Sequence, residues 1–354
     1  MGWTGRASRH CGSCGENMVS EHIQQEERAA ERFELDPEMK VVLARMLERM
    51  ASRPPMGTST AAEMRARFAD DIAAWNADPP DVPLIADSVV PTLERPVPVR
   101  LYDPIGDGDP LPTLIYFHGG GWVVGDLDSN DRALRLLALE SGVGILSVDY
   151  CLAPENPFPA PLNECIEVAR WVHRNGASHG IDVDRLAIGG DSAGANLALA
   201  TAIDLRDAGE RWLRTMLLVY GVYAREHDTA SHRLFGNGLF GFGTDAMDAL
   251  WSLYLGRDGS ADDPRAAPLR ARLDSLPPAC IVAGELDPLR DDSRRLAGRL
   301  VGTGGNVDFV ECPGVIHGFM SMTRELAVAR HATARVADSL RRSLIPRAPL
   351  APGS

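Results

Sequence analysis

The chain has 354 residues, 45% hydrophobic and 24% charged, an ordinary balance for a globular protein and ample for a large core. A formal net charge of −13 works against binding nucleic acid or an anionic membrane, both of which need basic patches. No stretch approaches the roughly 20 apolar residues needed to span a bilayer.

Residues 1–20 have no apolar core like that of a signal peptide, so the expected location is the cytoplasm. Cys11-Gly12-Ser13-Cys14, with His10 and His22 nearby, has the start of a zinc site but no second ligand pair, and reads as part of a polar tail. The other cysteines, Cys151, Cys165, Cys280 and Cys312, sit in or beside apolar runs, where a free thiol behaves as a small buried hydrophobe. That pattern suits reducing conditions.

Residues 21–76 read as helical. An amphipathic segment covers 21–33, and Pro37 starts a second with Val42, Met46 and Met50 at helical spacing. After a break at Arg53-Pro54-Pro55, a third carries Met64, Phe68, Ile72 and Trp75. These stripes face a core or roof a pocket. Residues 87–92 and 97–102 form an expected antiparallel strand pair.

From Thr113 the texture changes to short apolar strands alternating with helices: strand 114–117, helix 131–140, strand 144–148, helix 162–174, strand 186–189, helix 193–206 and strand 215–220. This rhythm implies a parallel sheet covered on both faces, with a site at the carboxyl ends of its strands. Residues 222–264 interrupt it with aromatic rings among glycines and a helix at 245–255, an insertion suited to cap that edge. Strand 279–283, helix 290–301, strand 307–311 and helix 322–343 resume the alternation, and 347–354 reads as a tail. The expected organisation is a tail (1–20), helices contributing to a cap (21–80), a catalytic α/β domain in two parts (81–221 and 265–346) around the insertion, and the terminal tail.

Four motifs fall at the carboxyl edge. Gly190-Asp191-Ser192-Ala193-Gly194 joins a strand to a helix, a turn that is either a plain connection or one that holds Ser192 in a strained, outward conformation as a nucleophile. His118-Gly119-Gly120-Gly121-Trp122 follows strand 114–117 and presents backbone N–H groups to an anion. With the N–H of Ala193, those of Gly119 and Gly120 make the expected oxyanion hole. The rival reading, a phosphate loop, lacks the lysine that would complete it. His118 itself reads as a brace for the loop.

After strand 279–283, Asp287 is the first choice for the carboxylate that orients an imidazole, with Glu285 the runner-up; Asp291 and Asp292 suit the start of the next helix on dipole grounds alone. After strand 307–311, His317 beside Gly318 is the candidate base. The order Ser192, Asp287, His317 is the one expected for an α/β-hydrolase.

On His118 to Trp122, Val148-Asp149-Tyr150-Cys151-Leu152-Ala153-Pro154-Glu155, the serine turn, Asp287-Pro288-Leu289-Arg290-Asp291 and His317-Gly318-Phe319, the chain resembles the hormone-sensitive-lipase-like (bacterial family IV) carboxylesterases over roughly residues 101–344. The Gly-Asp-Ser-Ala-Gly form of the turn is similar to the branch named for it. One departure is Cys151, where the family commonly has arginine.

The resemblance implies an α/β-hydrolase fold: a mostly parallel eight-stranded sheet flanked by helices, with a helical cap. It implies hydrolysis of short-acyl esters through a Ser-His-Asp triad, no cofactor or metal, a small-molecule ester as partner, and dimerisation through the last strand. Amide, lactone or thioester hydrolysis with the same triad is the alternative, and a non-catalytic receptor the rival from another class. Candidates for the pocket wall are Trp122, Phe68, Trp75, Phe235, Phe240, Phe242, Trp251 and Tyr254.

Overall fold

Alternation of apolar strands and helices produces a single twisted sheet. A computed structural model describes residues 33–53 and 59–345. The sequence readings for the Cys11/Cys14 tail, helix 21–33, Pro54-Pro55 and the tail 347–354 lie outside the described residues. The described residues from Leu35 onward belong to one compact unit.

Eight strands among the described residues pair in the order β1-β2-β4-β3-β5-β6-β7-β8. They are β1 (Leu84–Pro91), β2 (Pro96–Asp103), β3 (Leu111–Phe117), β4 (Gly144–Val148), β5 (Ile181–Asp191), β6 (Leu213–Val219), β7 (Ala279–Gly284) and β8 (Val307–Cys312). The β1/β2 hairpin is antiparallel, β2 joins β4 antiparallel, and every later pairing is parallel. Every residue of β3, β4 and β7 is buried, as expected where helices cover both faces and no polar face is needed.

The helices are α1 (Pro37–Ala51), α2 (Ala61–Asn76), α3 (Asp131–Ser141), α4 (Ala160–Asn175), α5 (Ala193–Asp207), α6 (Ala230–Phe235), α7 (Thr244–Leu255), α8 (Arg290–Gly302) and α9 (Ala327–Leu344). Asp36 opens α1 by accepting the N–H groups of Glu38 and Met39 at 2.9 and 3.1 Å, with Pro37 at the position where no N–H is needed. Thr60 and Glu63 form a reciprocal capping box at the start of α2. None of the described helices is long and apolar enough to cross a membrane.

Two element starts are displaced by five residues from the sequence reading. β5 begins at Ile181 rather than 186, because Ile181 pairs with Leu111 across a register shift. The last helix begins at Ala327, not 322: Phe319, Met322 and Leu326 have helical spacing, but residues Phe319–Ser321 form a tight 3-10 turn that buries them behind the β8 loop.

Cys151 is a buried free thiol beside an ion pair. Arg95 of the β1/β2 turn binds Glu164 at 2.9 Å and the Asp149 carbonyl at 2.8 Å, while Glu164 accepts the Cys151 N–H at 2.7 Å.

Asp292 of α8 ties down the start of the 222–264 insertion. It is fully buried, and its Oδ2 accepts the N–H groups of Tyr223 and Ala224 at 2.9 and 3.3 Å. Burial pushes its carboxyl up to about 7, against the pull of those two bonds. The folded protein therefore holds this proton between about pH 4 and 7, where the unfolded chain has released it, and stability falls as pH rises through that window. Thermal denaturation from pH 4.5 to 8 is expected to show this decline for the native chain and a flatter profile for Asp292→Asn.

Candidate active site

The site starts from a turn with no spare room. β5 runs straight into α5 through Ser192, whose φ of +53° and ψ of −117° lie outside the regions a side-chain-bearing residue prefers. Gly190 and Gly194 permit it. A Cβ on either would overlap the Phe117 carbonyl of β3, so α5 could not pack this close to the sheet. The strain leaves Ser192 at the carboxyl edge with its side chain outward and the amino end of α5 behind it.

Two neighbouring strand ends supply the partners. Asp287, fully buried after β7, is fixed by the Leu289 N–H on its Oδ1 at 2.8 Å. Its Oδ2 accepts the His317 Nδ1–H at 2.8 Å. That bond sets the tautomer, so His317 Nε2 accepts the Ser192 hydroxyl at 3.0 Å. Glu285 lies apart from the imidazole and accepts the Gly314 N–H at 2.8 Å, holding the loop that carries His317. The imidazole is packed between Tyr220, edge-on at 4.9 Å, and Phe242 of the insertion, stacked at 5.1 Å.

In the glycine loop, one N–H expected to face an oxyanion is engaged elsewhere. The Gly119 N–H is already spent, donating to Asp191 Oδ1 at 2.8 Å. The same oxygen accepts from Tyr116 Oη at 2.7 Å and from Asn130 Nδ2 at 3.0 Å. Gly119 therefore anchors the loop and cannot serve an oxyanion with that group. Gly120 and Gly121, at φ +117° and +59°, turn the chain over the cavity that contains Ser192. His118 braces the loop from behind: Nδ1 donates to the Gly119 carbonyl at 2.7 Å, and its ring stacks on Tyr150 at 4.4 Å.

Asp191 is the residue whose work the sequence reading missed. Burial raises its carboxyl, and the bonds from Tyr116 and Gly119 pull the other way. A carboxylate in an apolar strand end, between Gly190 and Ser192, is the signal that could have found it, since a buried charge needs donors nearby.

Above Ser192 lies a cavity of about 620 Å³. Phe68 and Trp75 of α2 and Phe240 and Phe242 of the insertion line it. Trp122, Phe235, Trp251 and Tyr254 do not, contrary to expectation. Trp122 stacks on Tyr254 at 4.2 Å and meets Trp251 at 4.7 Å, all three essentially fully buried, and Phe235 packs edge-on to Phe240 at 5.2 Å. On α7, residues 247, 250, 251, 254 and 255 form its buried face, so Trp251 and Tyr254 pin the helix to the core beside Trp122 at the end of the glycine loop. Among the described residues no cluster of three or more His, Cys, Asp or Glu could hold a metal ion.

A strand-to-helix serine turn at the carboxyl edge of this sheet, bonded to a late histidine that a late aspartate holds in turn, defines an α/β-hydrolase. The chain belongs to the family described as alpha/beta hydrolase fold, whose profile matches residues 114–321. It is 35% identical over 258 residues to an acetyl esterase of Salmonella choleraesuis, covering 72% of this chain and 79% of that protein. It is 36% identical to an ester hydrolase from the metagenome of Lake Arreo (TM-score 0.83, 87% of this chain and 98% of that one). An esterase from Pyrobaculum calidifontis is 32% identical with the same TM-score of 0.83 and the same coverage, 87% and 98%. The chain is a carboxylic ester hydrolase.

Asp191→Ala removes the acceptor that fixes the glycine loop while leaving the serine, histidine and Asp287 in place. Steady-state kinetics on p-nitrophenyl acetate are expected to show kcat lowered by about tenfold to a hundredfold, with KM changed far less.

Proposed function

We propose that this enzyme hydrolyses short-acyl carboxylic esters through an acyl-enzyme formed on Ser192, with His317 as the base and Asp287 as its orienting carboxylate. The observation that carries the reading is the unbroken hydrogen-bond line from the Ser192 hydroxyl through His317 to buried Asp287, at the floor of an apolar cavity. The residues at 118–122 and the Gly-Asp-Ser-Ala-Gly turn support membership of the hormone-sensitive-lipase-like group and its branch of that name.

In the first half-reaction His317 Nε2 takes the hydroxyl proton as Ser192 Oγ attacks the ester carbonyl. The negative oxygen that develops is held by backbone N–H groups of Gly120, Gly121 and Ala193. Gly121 replaces Gly119 in this set because the Gly119 N–H serves Asp191. Ala193 opens α5, so its N–H is one of the helix's first four and lacks an intrahelical acceptor. Asp287 favours the imidazolium that forms. His317 then gives its proton to the departing alcohol, and the same imidazole activates water to release the acid.

A helical cap formed by α1, α2 and the 222–264 insertion suits this chemistry. Phe242 against the imidazole and Phe240, Phe68 and Trp75 on the cavity wall limit water around the acyl-enzyme and leave room for a small acyl group.

Ser192→Ala is expected to abolish hydrolysis of short p-nitrophenyl esters with the circular-dichroism spectrum and melting temperature retained. Asp287→Asn is expected to lower kcat by about 10⁴-fold, the cost of losing the correct imidazole tautomer. Substantial turnover by the alanine variant would remove Ser192 from the chemistry.

A further inference from the structure

The cavity has two chemistries. Its wall is largely apolar, with Phe242 stacked on the His317 imidazole and Phe68 and Ile72 also lining it. One end is charged. Arg45, Arg49 and Arg53 recur at four-residue steps along α1 and just past it, so they share one helical face, and all three line the cavity. Arg67 of α2 adds a fourth guanidinium.

Among the described residues two lining carboxylates answer them at this end. Glu325 pairs with Arg45, and both oxygens of Asp71 accept from Arg53 Nη1, at 2.9 and 2.8 Å. Arg49 reaches the same Asp71 carboxylate only at 3.7 Å, beyond hydrogen-bond range. Arg67 faces Glu63 one turn earlier, whose carboxylate also caps α2. The remaining lining acid, Asp191, is at the floor and already holds Tyr116, Gly119 and Asn130. Side-chain exposures of 54% for Arg45 and 53% for Arg49, against a buried Ser192, put this cationic group at the cavity's opening.

The sign is the informative part. A chain with net charge −13 repels anions at long range, yet among the described residues the cavity lining carries four guanidinium groups, Arg45, Arg49, Arg53 and Arg67, against three carboxylates, Asp71, Asp191 and Glu325. A neutral ester needs no such rim. We propose that the rim built by Arg45, Arg49, Arg53 and Arg67 is a binding subsite for a carboxylate at the far end of the substrate, so that the preferred ester has an apolar body and an anionic terminus. This rests on the ester hydrolase reading above and extends it to a substrate class. The guanidinium fork matches a carboxylate bidentately, and with Arg49 incompletely engaged the subsite has donors to offer.

The test uses the purified enzyme and two matched ester series at low ionic strength. In one, p-nitrophenyl esters carry ω-carboxyacyl chains from succinyl to suberyl, each compared with its neutral primary-amide cap. In the other, acetyl esters of ω-hydroxy acids are compared with the corresponding ω-hydroxy amides. The expected result is a ratio of kcat/KM, carboxylate over amide, of roughly threefold to tenfold at one or more chain lengths, expressed mainly in KM. The series that shows it identifies whether the acyl or the alcohol side faces the rim. The ratio is expected to shrink in 0.5 M NaCl and to fall toward one in Arg49→Gln. Turnover of both kinds of ester with no carboxylate preference at any length, or a preference that survives Arg49→Gln and Arg67→Gln together, overturns the subsite alone. No turnover of any ester in either series overturns the ester hydrolase reading as well.

Discussion

Close approach of α5 to β3 is the constraint on which the rest of the structure depends. Gly194 and Gly190 lie so near the Phe117 carbonyl that a methyl group at either position has no place to go. This contact forces the strained backbone of Ser192, which in turn aims the hydroxyl out of the sheet. Such strain costs on the order of 1–3 kcal/mol and persists only where surrounding packing over-determines it. Here the surroundings are a fully buried β3 on one side and an almost entirely buried α5 on the other. The serine's geometry is therefore a property of the sheet and helix together.

Topology then delivers the remaining groups without long loops. β3 and β5 are hydrogen-bonded neighbours, as are β7 and β8, and β6 between the two pairs supplies Tyr220 beside the imidazole. Because all five strands are parallel, their carboxyl ends lie along one edge, and each contributes one piece of the site. Asp191 joins two of these pieces. It is the last residue of β5 and binds the first glycine after β3, so the position of the serine and that of the glycine loop are set by one carboxylate. The proposed reaction needs both at once, since attack and charge stabilisation occur at the same carbonyl.

The mostly parallel sheet, and the places of Ser192, Asp287 and His317 just after their strands, were legible because each depends on local pattern: an apolar run, then a short loop carrying a glycine or acid. What was not legible depends on contacts between distant residues. The Gly119 N–H looked as available as that of Gly120 until the fold brought Asp191, 72 positions later, against it. Composition could place Trp122, Trp251 and Tyr254 near the site but not say which way they face. They turn toward one another and form core, whereas Phe240 and Phe242, on the glycine-rich stretch before α7, reach the cavity. The arginine rim was hidden for a similar reason. Arg45 and Arg49 lie among apolar residues along α1, and Arg67 among those of α2, which reads as ordinary amphipathic spacing until the helices are placed over the serine.

The central claim is that ester cleavage passes through a covalent acyl group on Ser192. Rapid acid quench of the enzyme during turnover of p-nitrophenyl acetate, followed by peptide mass spectrometry, tests it most directly. The account predicts an acetyl group on the peptide containing Ser192, localised to that serine and absent from Ser192→Ala. Sustained turnover with Ser192 unmodified at every quench time, or with the acetyl group on another residue, would contradict it.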